Sequence, residues 1–171
     1  HNFSFQGLKM ENELYKIYSN LKSNQSIGID GISKQKLDEI IDDEIAIIKR
    51  KIENNSYEFS FYKQKLLVKS INKTREISIP TLRDKIVLRY LFNEISNSFK
   101  DTLTTKLHAN MIISEVIENR ENFNAFIKVD IVNFFPSINH EILLDKLKTK
   151  IFDENILNLI TKAIKQTTVD E

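Results

Sequence analysis

Asp130 stands in the stretch FIKVDIVNFFPSINH, Phe126 to His140, a lone carboxylate in an apolar run that also holds Lys128 and Asn133. Burying an unpaired carboxylate costs several kcal/mol, so a carboxylate in such a run has a cation or a partner. On a strand, Lys128, Asp130 and Val132 share one face, and Val129 and Ile131 share the other. Phosphoryl transfer with two metals needs carboxylates on rigid elements that hold the ions roughly 4 Å apart. A strand-end Asp suits that chemistry, and a neighbouring backbone carbonyl can also bind a hard cation. The plainer alternative is a capping or turn Asp. A second chemical signal is charge. Residues 63–106 hold ten basic side chains against four acidic ones, a net +6, whereas residues 37–58 hold three against seven, a net −4. A localised basic stretch is the footprint of a phosphate-binding surface. Its alternative is a solvated face.

The elements that position these residues come from an unremarkable composition. At 171 residues the chain fits one domain or part of a larger one. It is 41% hydrophobic, with 3 Gly and 2 Pro, which argues against a disordered or fibrous chain. There is no Cys, which excludes disulfides and thiolate metal sites. His1, His108 and His140 lack ligand spacing. No apolar run approaches the roughly 18 residues of a membrane span, and no signal-peptide core opens the chain, so the expectation is a cytoplasmic protein without membrane contact.

ENELYKIYSNLKS reads as an amphipathic helix and NQSIGIDGIS as a glycine-bearing loop. Ser33 suits an N-cap for a helix to about Asn54, with Leu37, Ile40, Ile41, Ile45, Ile48 and Ile52 at helical spacing. KQKLLVKSI and REISIP read as strands joined by an NKT turn, and Pro80 stops the second. Thr81 with Asp84 resembles a capping box opening a helix with Leu82, Ile86, Val87, Tyr90, Leu91 and Ile95 on one face. Residues 110–121 look helical, AFIKVDIV reads as a strand, and Asn139 and Asp153 suit caps of two further helices. Helices, a hairpin, helices, a strand and helices make an α+β chain. The last strand has no obvious partner, and a strand alone is unstable.

Three stretches together resemble the reverse transcriptases, above all the bacterial group of group II intron, retron and defence-associated enzymes. GIDGIS, Gly28 to Ser33, resembles their G-x-D-G entry loop. VKSINKTREISIPTLRDKIVLRYL resembles the fingers hairpin and the helix after it, with its I-P and R-D-x-h-V pattern. KVDIVNFFPSI resembles the palm pattern D-h-x-x-F/Y-F/Y. The three occur in the family's order and cover about residues 25–160. The resemblance implies the fingers and palm portion of a right-hand polymerase fold, mostly helical with a β-hairpin and a palm strand. Residues 1–24 would be an N-terminal helix, 25–122 the fingers and 123–171 the start of the palm. It implies RNA-directed DNA synthesis with two Mg²⁺ ions, an RNA template, a DNA primer and dNTPs. Asp130 matches the first catalytic carboxylate and ligand of both ions, and Ile131 the position whose carbonyl helps bind the nucleotide-side metal. Phe135 matches the aromatic gate under the incoming sugar, while Phe134 reads as core. Arg75 matches the fingers arginine on the triphosphate and Lys69 the lysine beside it. A guanidinium gives bidentate contacts to phosphate and an ammonium a point charge. The alternative for the two is an exposed hairpin pair. Arg83 and Lys73 are expected at nucleic acid, and Asp84 is read as a cap.

Two departures qualify the resemblance. TTKLHANMIIS, between fingers and palm, lacks the arginine of the family's S-x-G-F-R stretch. The aromatic-x-Asp-Asp box is absent, and Asp42 and Asp43 in IIDDE sit on what reads as a solvated helix face. One carboxylate does not hold two Mg²⁺. The expectation is therefore the front part of a polymerase, inactive by itself, with an exposed palm edge prone to self-association. The alternatives are a non-catalytic nucleic-acid- or protein-binding module and a purely structural domain.

Overall fold

The computed structural model describes residues 2–70, 73–102, 109–127 and 129–169, with side chains except at 2–6, 69, 70, 73, 109 and 110. Helix α1 spans Asn2–Ser19 and α2 spans Lys34–Glu53. Strands β1, Tyr62–Ser70, and β2, Lys73–Ile79, follow, then α3, Leu82–Ser98, and α4, Ala109–Glu118. A 3₁₀ turn at Phe135–Ser137 leads to α5, His140–Lys148, α6, Glu154–Lys165, and the short β3, Thr168–Val169. The chain is α+β, as its apolar periodicity predicts.

Side-chain caps set the helix starts. Ser33 accepts from Lys36 N, Thr81 from Asp84 N, Asn139 from Glu141 N and Ile142 N, and Asp153 from Asn155 N and Ile156 N. Each satisfies amide donors that the first helical turn leaves unpaired. The apolar stripes of α1, α2, α3 and α6 meet in one core, built on Leu14, Ile17, Leu37, Ile48, Ile86 and Leu159. Helix α1 starts earlier than the periodicity of ENELYKIYSNLKS predicts and stops at Ser19.

The hairpin forms as expected, antiparallel from Lys63↔Ile79 to Ser70↔Lys73, with a register shift between Val68 and Ser70. Of the expected NKT turn, Lys73 and Thr74 belong to β2, where they pair with Ser70 and Val68, and Asn72 lies outside the described residues with Ile71. Ile79 is buried at the base of the hairpin, while Leu66, Leu67 and Val68 are exposed in its outer part. β3 adds to the other edge of β1 in parallel, pairing Tyr62 with Thr168 and Lys63 with Val169, so the order is β2-β1-β3. Two residues of TTVDE gave no periodic signal, and this strand was not foreseen.

The expected palm strand is a correction. AFIKVDIV forms no strand among its described residues; Ile127 is 88% and Val129 85% exposed. A strand is held by ladder hydrogen bonds to a neighbour, and no described strand pairs with this segment. Helix α4 likewise leaves Met111, Ile112, Ile113 and Ile117 exposed.

Candidate nucleotide and nucleic-acid site

The first joint in the site is made by glycine. Gly31 N donates to Gly28 O at 3.2 Å, closing the GIDG turn, and Gly31 has φ +69°. A left-handed φ is where glycine pays no steric cost. Asp30 Oδ1 accepts from Ile32 N at 3.1 Å and tightens the exit. A Cβ on Gly28 would lie 2.6 Å from Thr81 Cα and 2.8 Å from Thr81 N, so the turn packs directly on the backbone that ends β2 and starts α3. Lys85 Nζ, one turn into α3, donates to Gln25 Oε1 at 3.2 Å and Ser26 O at 2.9 Å. Two motifs that lie about fifty residues apart are thus pressed together.

A buried carboxylate anchors the hairpin to this joint. Asp84 is 1% exposed; its Oδ1 accepts from Tyr57 OH at 2.7 Å and its Oδ2 from Ser60 N at 3.1 Å. Burial pushes the Asp84 carboxyl up, against the pull of its hydrogen bonds from Tyr57, Thr81 and Ser60. Burial, then the Asp84 charge, pushes the Tyr57 hydroxyl up as well. Asp84 was expected as one half of a capping box. Only Thr81 caps, because the Asp84 carboxylate turns inward to the segment that leads into β1. Arg83 gives Nε and Nη2 to the two oxygens of Glu44 on α2, the second at 2.6 Å. This bidentate pair holds the Arg83 guanidinium further above its ordinary value and ties α3 to α2. Sequence reasoning missed Glu44 and Tyr57. Glu44 ends an acidic run whose Asp42 and Asp43 are exposed as expected, but it sits beside Ile45 on the buried face.

The hairpin presents Arg75 exposed, opposite Leu67. Its guanidinium has five donors and can grip a phosphate bidentately. Lys69 lies where the register slips and Lys73 pairs with Ser70; both side chains lie outside the described residues. Asp130 is exposed and its Oδ1 accepts from Ile131 N at 3.0 Å. Ile131 is exposed too, and Phe135, 78% exposed, opens the 3₁₀ turn after Asn133 turns the chain at φ +53°. Phe134, read as core, is instead half-exposed, edge-on to Phe135 with ring centroids 5.3 Å apart. Asp130, Ile131 and Phe135 therefore share one exposed segment, and Arg75 sits on another element. Among the described residues no group of three acidic, His or Cys side chains could hold a metal. An Asp130 carboxylate and an Ile131 carbonyl are hard oxygen donors, and these two groups alone fall short of what two Mg²⁺ would need.

No protein-family model matches the chain. It is 23% identical over 170 residues to "Protein YkfC" of Escherichia coli, covering 92% of this chain and 45% of that protein. It is 26% identical to the "Uncharacterized 91 kDa protein in cob intron" of Schizosaccharomyces pombe, over 86% of this chain and 19% of that one. It is 26% identical to the "Putative COX1/OXI3 intron 2 protein" of Saccharomyces cerevisiae, over 88% and 17%. The chain spans less than half the length of these curated relatives. It is similar, at low identity, to proteins named for introns. Among the described residues, no helix is long and apolar enough to cross a membrane.

Proposed function

We propose that the chain is the fingers region and first palm segment of a reverse transcriptase, a protein that copies RNA into DNA in a longer polypeptide. The observation that carries the reading is the packing of GIDG on Pro80–Thr81, which unites two of the three family-like motifs at the root of the hairpin bearing Arg75. The similarity to intron-named proteins supports it. In this reading Arg75 and Lys69 hold the triphosphate of a dNTP, Lys73 and Arg83 lie near nucleic acid, and Phe135 flanks the incoming sugar. The Glu44 clamp leaves Arg83 its remaining N–H donors for that contact. Asp130 and the Ile131 carbonyl contribute to an Mg²⁺ site, and the other ligands come from elsewhere in the longer protein. Bound Mg²⁺ would neutralise charge on the reacting phosphates. The chain's own part is to orient the triphosphate and to present one carboxylate.

Primer extension on an RNA template tests this, with dNTPs and Mg²⁺, comparing the longer protein, its Asp130→Ala variant and this chain alone. Extension by the wild-type longer protein alone supports the assignment. Equal extension by Asp130→Ala overturns it and favours a non-catalytic nucleic-acid- or protein-binding module.

A further inference from the structure

A cleft of about 1280 Å³ runs between α1 and α3, closed at one end by the loop after α1. It lies outside the hairpin and the Asp130 segment. Lys9, Lys16, Lys22, Lys85 and Arg89 line it against one carboxylate, Glu13. Glu13 is engaged by Asn93, whose Nδ2 donates to Oε1 at 2.9 Å. Among the described residues none of the five cations forms an ion pair. On α2, by contrast, Lys34 and Lys36 pair with carboxylates at helical spacing and Lys49 pairs with Glu11 across the α1–α2 contact. Net positive charge in a concave surface focuses the field on an anionic partner. Phe92 stands in the cleft 51% exposed, with the Arg89 guanidinium 5.2 Å from its ring centroid.

We propose that this cleft binds a single strand of nucleic acid. Lys9, Lys16, Lys22 and Arg89 take phosphates, Lys85 stays bound to Gln25 and Ser26 and adds its charge, and Phe92 with Arg89 forms a platform for a base. Exposed amides along the cleft can donate to and accept from base edges. Unpaired bases offer faces to an aromatic platform, and such stacking tolerates any sequence. An acidic peptide would use the cations and leave Phe92 exposed to water. Lys9 to Ser19 on α1 covers about 15 Å at 1.5 Å per residue, room for about four stacked nucleotides at 3.4 Å each. The proposal does not need Asp130 or the hairpin, so it stands or falls apart from the polymerase reading.

Fluorescence anisotropy with labelled oligo(rU) and oligo(dT), across a salt series, tests it on this chain. Lys16→Glu/Arg89→Glu should weaken binding at least tenfold and flatten the dependence of log K on log salt by about one unit per lost phosphate contact. Phe92→Ala should weaken binding about tenfold and leave the salt slope unchanged. These side chains are exposed, and circular dichroism melts should match wild type. Lys146→Glu on α5 is the charge control. A preference for either oligomer identifies the strand it takes. The proposal is overturned if the double reversal binds like Lys146→Glu, if Phe92→Ala binds like wild type, or if oligoglutamate competes as well as either oligomer.

Discussion

Replacing Tyr57 by phenylalanine removes one hydroxyl and little else. The ring stays edge-on to Phe59 at a centroid distance of 5.2 Å and remains buried. What is lost is the 2.7 Å hydrogen bond to Asp84 Oδ1, which is buried beside Thr81 and the core. A hydrogen bond to a charged group contributes about 1.5–3 kcal/mol, and a buried acceptor left unpaired bears its desolvation cost in full. Tyr57→Phe should therefore lose about 1.5–3 kcal/mol at pH 7, which for a chain of this size lowers Tm by about 3–12 °C. The pH dependence follows from the direction of the Asp84 shift. Burial raises its carboxyl above the ordinary 3.8, so its contribution is most favourable below that value and is lost as pH climbs through the raised one. The Tyr57 hydroxyl is one of the groups holding the value down. Removing it raises the carboxyl further and enlarges the loss at neutral pH. Urea denaturation followed by circular dichroism, from pH 7 down to about pH 4, should show the deficit shrinking as Asp84 takes up its proton. A Tyr57→Phe stability within 0.5 kcal/mol of wild type at pH 7, or a deficit equal at both ends of the range, refutes the buried-carboxylate argument.

Two further substitutions probe the joint and the hairpin. Gly28→Ala sets a Cβ 2.6 Å from Thr81 Cα, and the three nearest atoms, Thr81 Cα, Thr81 N and Pro80 O, are all backbone and cannot swing aside. It should cost about 1–3 kcal/mol by overpacking, read as a lower urea midpoint at unchanged m-value. Arg75→Ala on the exposed hairpin face should leave the melting curve of this chain within 0.5 kcal/mol of wild type. In primer extension by the longer protein it should raise the KM for dNTP about tenfold or more through the lost bidentate phosphate contact; an unchanged KM removes Arg75 from nucleotide binding.

Four of the helices, α2, α3, α5 and α6, were legible at their starts because a capping side chain precedes each. Ser33, Thr81, Asn139 and Asp153 each mark the residue before a helix, and the isoleucines of α2 face the core as their spacing requires. The hairpin was legible because REISIP alternates and Pro80 ends it. Polar partners were not. Asp84 at the fourth place after Pro80 reads equally well as a cap and as a buried anchor, and only the third dimension brings Tyr57 and Ser60 to its oxygens. Glu44 was hidden by its acidic neighbours for the same reason: a stripe is read from apolar letters, and a carboxylate joins the buried face only when an arginine from another helix meets it.

Apolar sequence alone does not make a strand, and the Asp130 segment illustrates why. FIKVDIV has the composition of a buried strand, yet composition registers only the tendency to leave water. The β conformation needs a neighbour to accept its amides, and β1 finds one in the strand that directly follows it, whereas the Asp130 segment finds none among the described residues. The same reasoning applies to the site. Arg75 lies on an element that carries its own partner strand, so its placement is a local property of this chain. Asp130, Ile131 and Phe135 lie on a segment that pairs with no strand among the described residues. In the proposed polymerase, strands elsewhere in the longer protein would pair with it and would also carry the other metal ligands. Pairing and ligation would then be coupled: whatever supplies the neighbouring strand fixes the direction of the Asp130 carboxylate. Metal affinity at Asp130 should accordingly rise together with protection of the Val129 and Ile131 amides from hydrogen exchange, as one cooperative step.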